Sequence, residues 1–383
     1  MPQFPHIRIR GAPREIGRQY GEQAVERIRG SIDAYHKVFS DLARLEWPQV
    51  TEYAMRFEQP IGRFSGRCLE EMRGIADGAE VPFANILAIN VRTEIMFSAR
   101  ARLASESSRM LAECSSFAVL PSTSRGHTLL GQNWDWLPHT FDTVVVLEVE
   151  QETGPNFVSV VEAGLMAKIG MNSSGLGVAT NALVTDEDQG APGVPYHVLL
   201  RALLDCENMS DALAVLQCGT RSSSANYLLA HRDGLVVDVE AAPGDFGRLF
   251  LSFPVGQVLV HANNFISPRF TGRDVSVWAM PDSPIRQNRL QRAVEAPGFV
   301  PSIDAFRSLL SDHANYPSAI CCHPDQRMAP HDQGATVASV LMDLDARKLW
   351  LADGPPCTTP YRELDYADLL AKPSSIRLTE PEE

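Results

Sequence analysis

Apolar residues recur three to five positions apart from Pro13 to Leu45, at Ile16, Tyr20, Val25, Ile28, Ile32, Tyr35, Phe39 and Leu42. That spacing lays one apolar stripe along a long helix, and Pro13 suits a first helical turn, where its missing N–H costs nothing. Leu69, Met72, Ile75 and Ala76 form a second stripe, predicting a helix over Cys68–Ala79. Pro82 interrupts the pattern, and a helix is expected to resume over Phe83–Ile95. Residues 98–111 are looser, rich in Ser and Arg, and read as an exposed connection.

After Cys114 the texture changes to short β-rich runs: Ser116–Leu120, Thr128–Leu130, Thr143–Val149, Phe157–Glu162, Met166–Met171 and Gly175–Asn181. Helices are expected over Tyr196–Asp205 and Met209–Gln217, the second with Ser210 near its N-cap. Strands return at Ala225–His231, Leu235–Glu240, Gly247–Ser252 and Val258–Asn263, with Arg232-Asp233-Gly234 as a hairpin turn. Helices at Ile285–Val294 and Ile303–Ser311 precede a closing hairpin, Val337–Asp343 and Lys348–Ala352. Strands in groups, then helices, then strands again imply a layered α+β body behind a helical N-terminal segment.

Composition narrows the function classes. The 383 residues are 44% hydrophobic and 21% charged, enough apolar matter for a sizeable core. A formal charge of −13 argues against binding nucleic acid or anionic membrane, since both need a basic face. No run of about 18 apolar residues predicts a transmembrane helix, and Met1–Gly11 lacks a signal-peptide core. Seven cysteines at irregular spacings make no disulfide framework, so a reduced, cytoplasmic setting is expected.

Cys114 stands where helical texture gives way to strand, a place where a thiol can be presented at a sheet edge. The competing reading is a buried structural cysteine, the usual state of free cysteine. Gly131-Gln132-Asn133-Trp134-Asp135-Trp136 sets two large aromatics around an acid at a strand end. A lined pocket accounts for them, and so does a packed turn that Asp135 caps. Asn226 and Asn263 fall at strand ends, where an amide could donate to an oxyanion or simply form a turn. Arg286 sits in the first turn of a helix, against the dipole. Cys321-Cys322-His323 and His331 lack the two-to-four-residue ligand spacing of structural zinc sites, so no metal is expected. No Gly-rich phosphate loop appears, so no cofactor is expected either.

Together these segments resemble the acyl-CoA:6-aminopenicillanate acyltransferase family of N-terminal-nucleophile hydrolases. The resemblance runs from Ile9–Gly21 and Glu71–Gly78 through Glu113–Phe117, Gly131–Trp136, Ser224–Leu229 and His261–Asn263 to Asp312–Cys321 and Gly354–Cys357, in the family's order. It implies a four-layer αββα sandwich and a precursor that cuts itself between Glu113 and Cys114. Residues 1–113 would form a helical α chain and residues 114–383 the catalytic β chain, the two remaining one structural domain as an αβ heterodimer. The family often has glycine before its cysteine; this chain has Glu113.

By the same resemblance, Cys114 is the nucleophile, Asp135 holds the new amine, Asn226 is the oxyanion donor, and Arg286 lies near the thiol. Trp134, Trp136 and Asn263 are expected to bind substrate. An α-amine titrates at about 7.7–8.0, so the freed amine could take the thiol proton without a histidine. The expected activity is hydrolysis or transfer of an acyl group from a small amide or acyl donor, acyl-CoA included, through a thioester on Cys114. The alternatives are a non-catalytic ligand-binding relative, or an uncut Cys/His hydrolase using His127 or His261.

Overall fold

A computed structural model describes residues 3–102, 114–124, 126–329 and 333–371. Strand β1 (His6–Gly11) leads into seven helices: α1 (Pro13–Gln23), α2 (Val25–Ala43), α3 (Trp47–Met55), α4 (Glu58–Phe64), α5 (Gly66–Ala79), α6 (Phe83–Asn90) and α7 (Arg92–Arg102). Strands β2 (Cys114–Val119), β3 (Leu129–Trp136), β4 (Val144–Gln151), β5 (Phe157–Glu162), β6 (Ile169–Asn172) and β7 (Leu176–Ala182) follow. Then come α8 (Tyr196–Leu203), α9 (Met209–Gln217), β8 (Ala225–His231), β9 (Leu235–Ala241), β10 (Leu249–Ser252) and β11 (Val258–His261). The chain closes with α10 (Ser276–Ala279), α11 (Ser283–Val294), α12 (Ile303–Leu310), β12 (Ala335–Asp343), β13 (Lys348–Ala352), β14 (Arg362–Asp365) and α13 (Ala367–Leu370).

The strands form an eight-stranded sheet, β1-β4-β5-β6-β7-β8-β9-β10, and a six-stranded sheet, β11-β2-β3-β12-β13-β14. Every residue of β2, β3, β5 and β8 is buried. Strands covered on both faces lose the apolar–polar alternation and carry buried polar groups that must find partners. Gln132 does so across the interface: its Nε2 donates to Thr180 O (3.1 Å) and its Oε1 accepts from Thr180 N (2.7 Å), tying β3 to β7. Helices from the N-terminal segment, with α8 and α9, cover the larger sheet. On the smaller one, Phe306 of α12 stacks on Phe117 of β2 with centroids 3.5 Å apart. The result is the expected αββα arrangement.

The expected helix over Pro13–Leu45 breaks at Ala24 into α1 and α2. The break frees α1 to lie backbone-to-backbone on α5, while α2 departs with the rest of the stripe. A Cβ on Gly17 would fall 2.0 Å from Glu71 O, and one on Gly74 2.1 Å from Arg14 O. Gly21 and Gly78 repeat the contact one turn along each helix. Only glycine permits that approach, which is why both segments carry Gly at i and i+4. Strand β1 was not expected: six residues give no clear period, and its place is set by parallel pairing with β4 (His6 opposite Val146). Helix α9 keeps its expected span, but Asn208 rather than Ser210 is its N-cap, accepting from Asp211 N at 3.0 Å. Helices α3 and α4 were not anticipated either. Among the described residues no helix is long and apolar enough to cross a membrane.

Candidate active site

Cys114 opens β2 in register with Trp134 of β3. Its backbone N–H donates to Asn263 Oδ1 at 2.6 Å, and its carbonyl accepts from Arg286 Nη1 at 2.8 Å. The same guanidinium donates to Ser115 Oγ (3.1 Å) and Asn263 Oδ1 (3.1 Å), while its Nε pairs with Asp282 Oδ2 at 2.7 Å. Arg286 is 1% exposed. Its position against the helix dipole is offset by Asp282 at the N-cap of α11, so the arginine is a buried clamp on the start of β2 rather than a surface residue.

Asn263 is held in turn. Its N–H donates to Ser283 Oγ (2.7 Å) and its Nδ2 to Ala182 O (3.0 Å). The side chain thus presents its acceptor to the Cys114 nitrogen, while its amide donates to the backbone of Ala182, a residue that lines the cavity. Asn226, on β8 of the larger sheet, is placed differently. Its Nδ2 donates to Asn181 Oδ1 at 3.3 Å and its amide also bonds Asp238, inside the buried polar network between the sheets. Neither asparagine lines the cavity at Cys114; what separates them is that Asn263 bonds the Cys114 nitrogen directly.

Strand alternation separates the two ends of Asp135. Gln132 and Trp134 face the larger sheet, whereas the side chains of Asn133 and Asp135 face α12 and the loop after it. Asn133 Nδ2 donates to Leu310 O and Ile320 O, and Asp135 Oδ1 accepts from Thr336 Oγ1 at 2.5 Å. It is the backbone N–H of Asp135 that donates to the Cys114 thiol. Glu113 lies outside the described residues.

The thiol faces a cavity lined by Trp134, Trp136, Lys168, Ala182, Tyr196, His197 and the α7 residues Arg92, Thr93, Met96 and Phe97. Its free volume is ≈ 20 Å³, little more than one water needs. Both tryptophans line it, as their size and position suggested. Of the lining residues that the sequence did not point to, four are ionisable: Lys168, His197, Tyr196 and Arg92. Each is far from Cys114 in the chain and sits in no motif, so only the fold brings them together.

Burial pushes the Cys114 thiol up to about 11, against the opposing pull of Lys168 and Arg286. Burial likewise lowers Lys168 to about 8, with its ammonium 4.9 Å from the Trp134 ring centroid. His197 is held well below its ordinary value by burial, with Arg92 and Lys168 adding to the effect. Among the described residues neither of its ring nitrogens has a hydrogen-bond partner. Arg92 is buried against Glu162 and Tyr35, and Tyr35 OH accepts from Trp136 Nε1 at 2.8 Å. Burial is the largest single influence on Glu162 and would raise it, yet Arg92 and His139 together outweigh it and hold the carboxyl at about 2.

The histidines named as alternative bases are occupied elsewhere. His127 Nδ1 is 2.7 Å from Asp343 on a half-exposed edge. His261 is fully buried, with Nε2 2.9 Å from Glu240 and Nδ1 2.6 Å from Ala262 O. Burial opposes its charge, but Asp238 and Glu240 raise it to about 9, so it is a structural cation.

The model of the family described as acyl-coenzyme A:6-aminopenicillanic acid acyl-transferase matches residues 122–356. The chain belongs to this family. The match begins after Cys114 and includes Asp135, Asn226, Asn263 and Arg286. Over 355 residues the chain is 27% identical to the acyl-coenzyme A:6-aminopenicillanic-acid-acyltransferase 40 kDa form of Emericella nidulans, covering 92% of this chain and 93% of that protein. Among solved structures it is similar to a conjugated bile acid hydrolase from Clostridium perfringens (12% identity, TM-score 0.45, 67% of this chain and 94% of that one). It is also similar to penicillin V acylase from Agrobacterium tumefaciens (14% identity, TM-score 0.39, 68% and 88%).

Proposed function

We propose that the protein is a cysteine N-terminal-nucleophile amidohydrolase or acyltransferase that first cuts its own chain before Cys114. One observation carries this reading: the Cys114 nitrogen is already bonded to Asn263 while its thiol stands at a tryptophan-lined cavity. A buried N–H needs an acceptor in any case; here that acceptor is a side chain beside the thiol, where it could equally receive a free α-amine.

In the first step the Cys114 thiolate attacks the carbonyl carbon of Glu113. The peptide C–N bond breaks, a C–S thioester forms, and the departing nitrogen takes a proton to become the α-amine. Water then opens the thioester, leaving a carboxylate on Glu113 and a free thiol on Cys114. Lys168, lowered to about 8, is the cavity group suited to exchanging a proton near neutrality in this step. Arg286, bonded to the Cys114 carbonyl, holds the start of β2 still while the segment before it moves.

In the second step the α-amine takes the thiol proton and the sulfur attacks an acyl carbonyl. Asn263 Oδ1 orients the amine. The oxyanion would be held by Asn263 Nδ2 together with the backbone N–H of Asp135, so the reading moves the side-chain donor from Asn226 to Asn263. Asp135 serves through its main chain, its carboxylate being anchored by Thr336. The amine product leaves with a proton, and water or a second amine releases the acyl group from sulfur.

The acyl group would lie against Trp134 and Trp136, with Lys168 and His197 offering polar contacts. Because the free space is only ≈ 20 Å³, substrate entry requires rearrangement of the lining, which chain cleavage would allow. Residues 1–113 would remain bound after the cut, since they supply β1 to the larger sheet and Arg92, Thr93, Met96 and Phe97 to the cavity.

A panel of N-acylated amines and acyl-CoA thioesters, read by mass spectrometry, tests this assignment. An acyl adduct on the fragment beginning at Cys114 is expected, released by water or an added amine. Turnover with no adduct on that fragment, and undiminished in Cys114→Ala, would refute it.

A further inference from the structure

Four potential metal ligands converge away from the active-site cavity. His313 and the pair Cys321 and His323 belong to the loop after α12, and Cys357 to the turn after β13. Their donor atoms all lie within 4.8 Å of one another. His323 Nε2 stands 3.1 Å from His313 Nε2, 3.5 Å from Cys321 Sγ and 3.3 Å from Cys357 Sγ.

Hydrogen bonding alone explains this poorly. A ring nitrogen either donates one hydrogen or accepts through one lone pair, yet three polar atoms crowd His323 Nε2. A tetrahedral zinc explains it directly. With Zn–N of about 2.0–2.1 Å and Zn–S of about 2.3 Å, donors stand about 3.3 Å apart for N···N and about 3.5 Å for N···S. The measured separations fall within a few tenths of an ångström of those. The backbone N–H of Cys357 donates to Cys321 Sγ, as an outer contact that steadies a thiolate ligand. Two thiolates would also neutralise a divalent ion in a half-buried place. Cys322, by contrast, turns its sulfur toward the carbonyls of His323 and Gly334.

We propose that His313, Cys321, His323 and Cys357 form a structural site for a thiophilic divalent cation, zinc in particular. The sequence spacing concealed it, because adjacent cysteines are poor paired ligands and the fourth donor lies 34 residues beyond His323. The other close cluster, Asp238, Glu240 and His261, carries no such proposal: His261 is its cation, and Glu240 accepts from Ile266 N and Ser267 N.

The site would pin the loop after α12 to the 354–357 turn, and that loop supports the catalytic strand. Cys322 N donates to Thr336 Oγ1 (2.9 Å), which bonds Asp135, and Ile320 O receives Asn133 Nδ2 (2.7 Å). The proposed role is therefore positioning.

Full-length protein purified under reductant and equilibrated with zinc, then desalted, should retain one equivalent by elemental analysis. Cobalt(II) in place of zinc should give thiolate-to-metal charge transfer and the intense visible bands of a tetrahedral ion. Cys321→Ser or Cys357→Ser should abolish the charge-transfer band or weaken it sharply, whereas Cys218→Ser, on an exposed cysteine elsewhere, should leave it intact. His313 is exposed, so His313→Ala should fold, keep the charge transfer and lose zinc affinity by about tenfold or more. Should the cysteine variants not fold, wild type and His313→Ala decide the matter alone. Wild type that holds no zinc and shows no cobalt–thiolate band overturns the proposal, as does His313→Ala with unchanged affinity.

Discussion

Arg286→Met offers the sharpest energetic test of the clamp on Cys114. The guanidinium is 1% exposed and donates to the Asp282 carboxylate and to Cys114 O, Ser115 Oγ and Asn263 Oδ1. Methionine fills most of the volume but strands the buried Asp282 charge. Removing one partner of a buried pair costs about 3–5 kcal/mol, because the surviving charge must neutralise or remain uncompensated. The three neutral acceptors add to that cost, though not independently. A total stability of about 5–15 kcal/mol makes this a large fraction. The measurement is urea unfolding followed by circular dichroism in a Cys114→Ala background, so that chain cleavage cannot contribute. The single variant should lose about 3 kcal/mol or more. Adding Asp282→Asn should restore at least about 1 kcal/mol, since a neutral amide is cheaper to bury than an unpaired carboxylate. A loss under about 1 kcal/mol, or a double variant less stable than the single, would refute the clamp.

Further outcomes follow from the same structure. Asn263→Ala should slow acyl-enzyme formation about a hundredfold or more, and Asn226→Ala should affect stability more than rate; the reverse ranking would return the oxyanion role to Asn226. Gly74→Ala should destabilise by about 1–3 kcal/mol, since its Cβ would meet Arg14 O at 2.1 Å, whereas Gly30→Ala, whose nearest neighbour would be 3.6 Å away, should be neutral or mildly stabilising. Glu162, held at about 2 in the fold, contributes stability above the ordinary carboxyl pKa that is lost as pH falls toward 2. Acid titrations of stability should therefore be shallower between about pH 4.5 and 2 in the Arg92→Met/Glu162→Gln double variant; an unchanged slope would contradict the ion pair.

Much of the fold could be read from periodicity. Phe157–Glu162, Met209–Gln217, Ala225–His231 and Lys348–Ala352 have the spans expected of them. What periodicity missed had tertiary causes. Strand β1 exists because β4 offers it an edge, and the break at Ala24 exists because α1 must approach α5 through glycine. At the site, the motifs brought Cys114, Trp134, Trp136, Asn263 and Arg286 to one place. Asp135 came with its main chain rather than its carboxylate toward the thiol, a consequence of strand alternation that a motif does not encode. Asn226 went to the network between the sheets. Lys168 and His197 had no local signal, since a lone Lys before a strand and a lone His in an apolar helix look like ordinary framework.

The mass of the purified wild-type protein bears most directly on the central claim. Cleavage before Cys114 divides the chain into 113 and 270 residues (383 − 113). Denaturing mass spectrometry should show species of about 12 and about 30 kDa, proportional shares of 42.1 kDa, the larger with Cys114 as its first residue. Cys114→Ala should remain a single chain. Wild type that stays uncut yet forms an acyl adduct on Cys114 would contradict self-processing. Cys114→Ala that is cut at the same bond would contradict the cysteine's part in it.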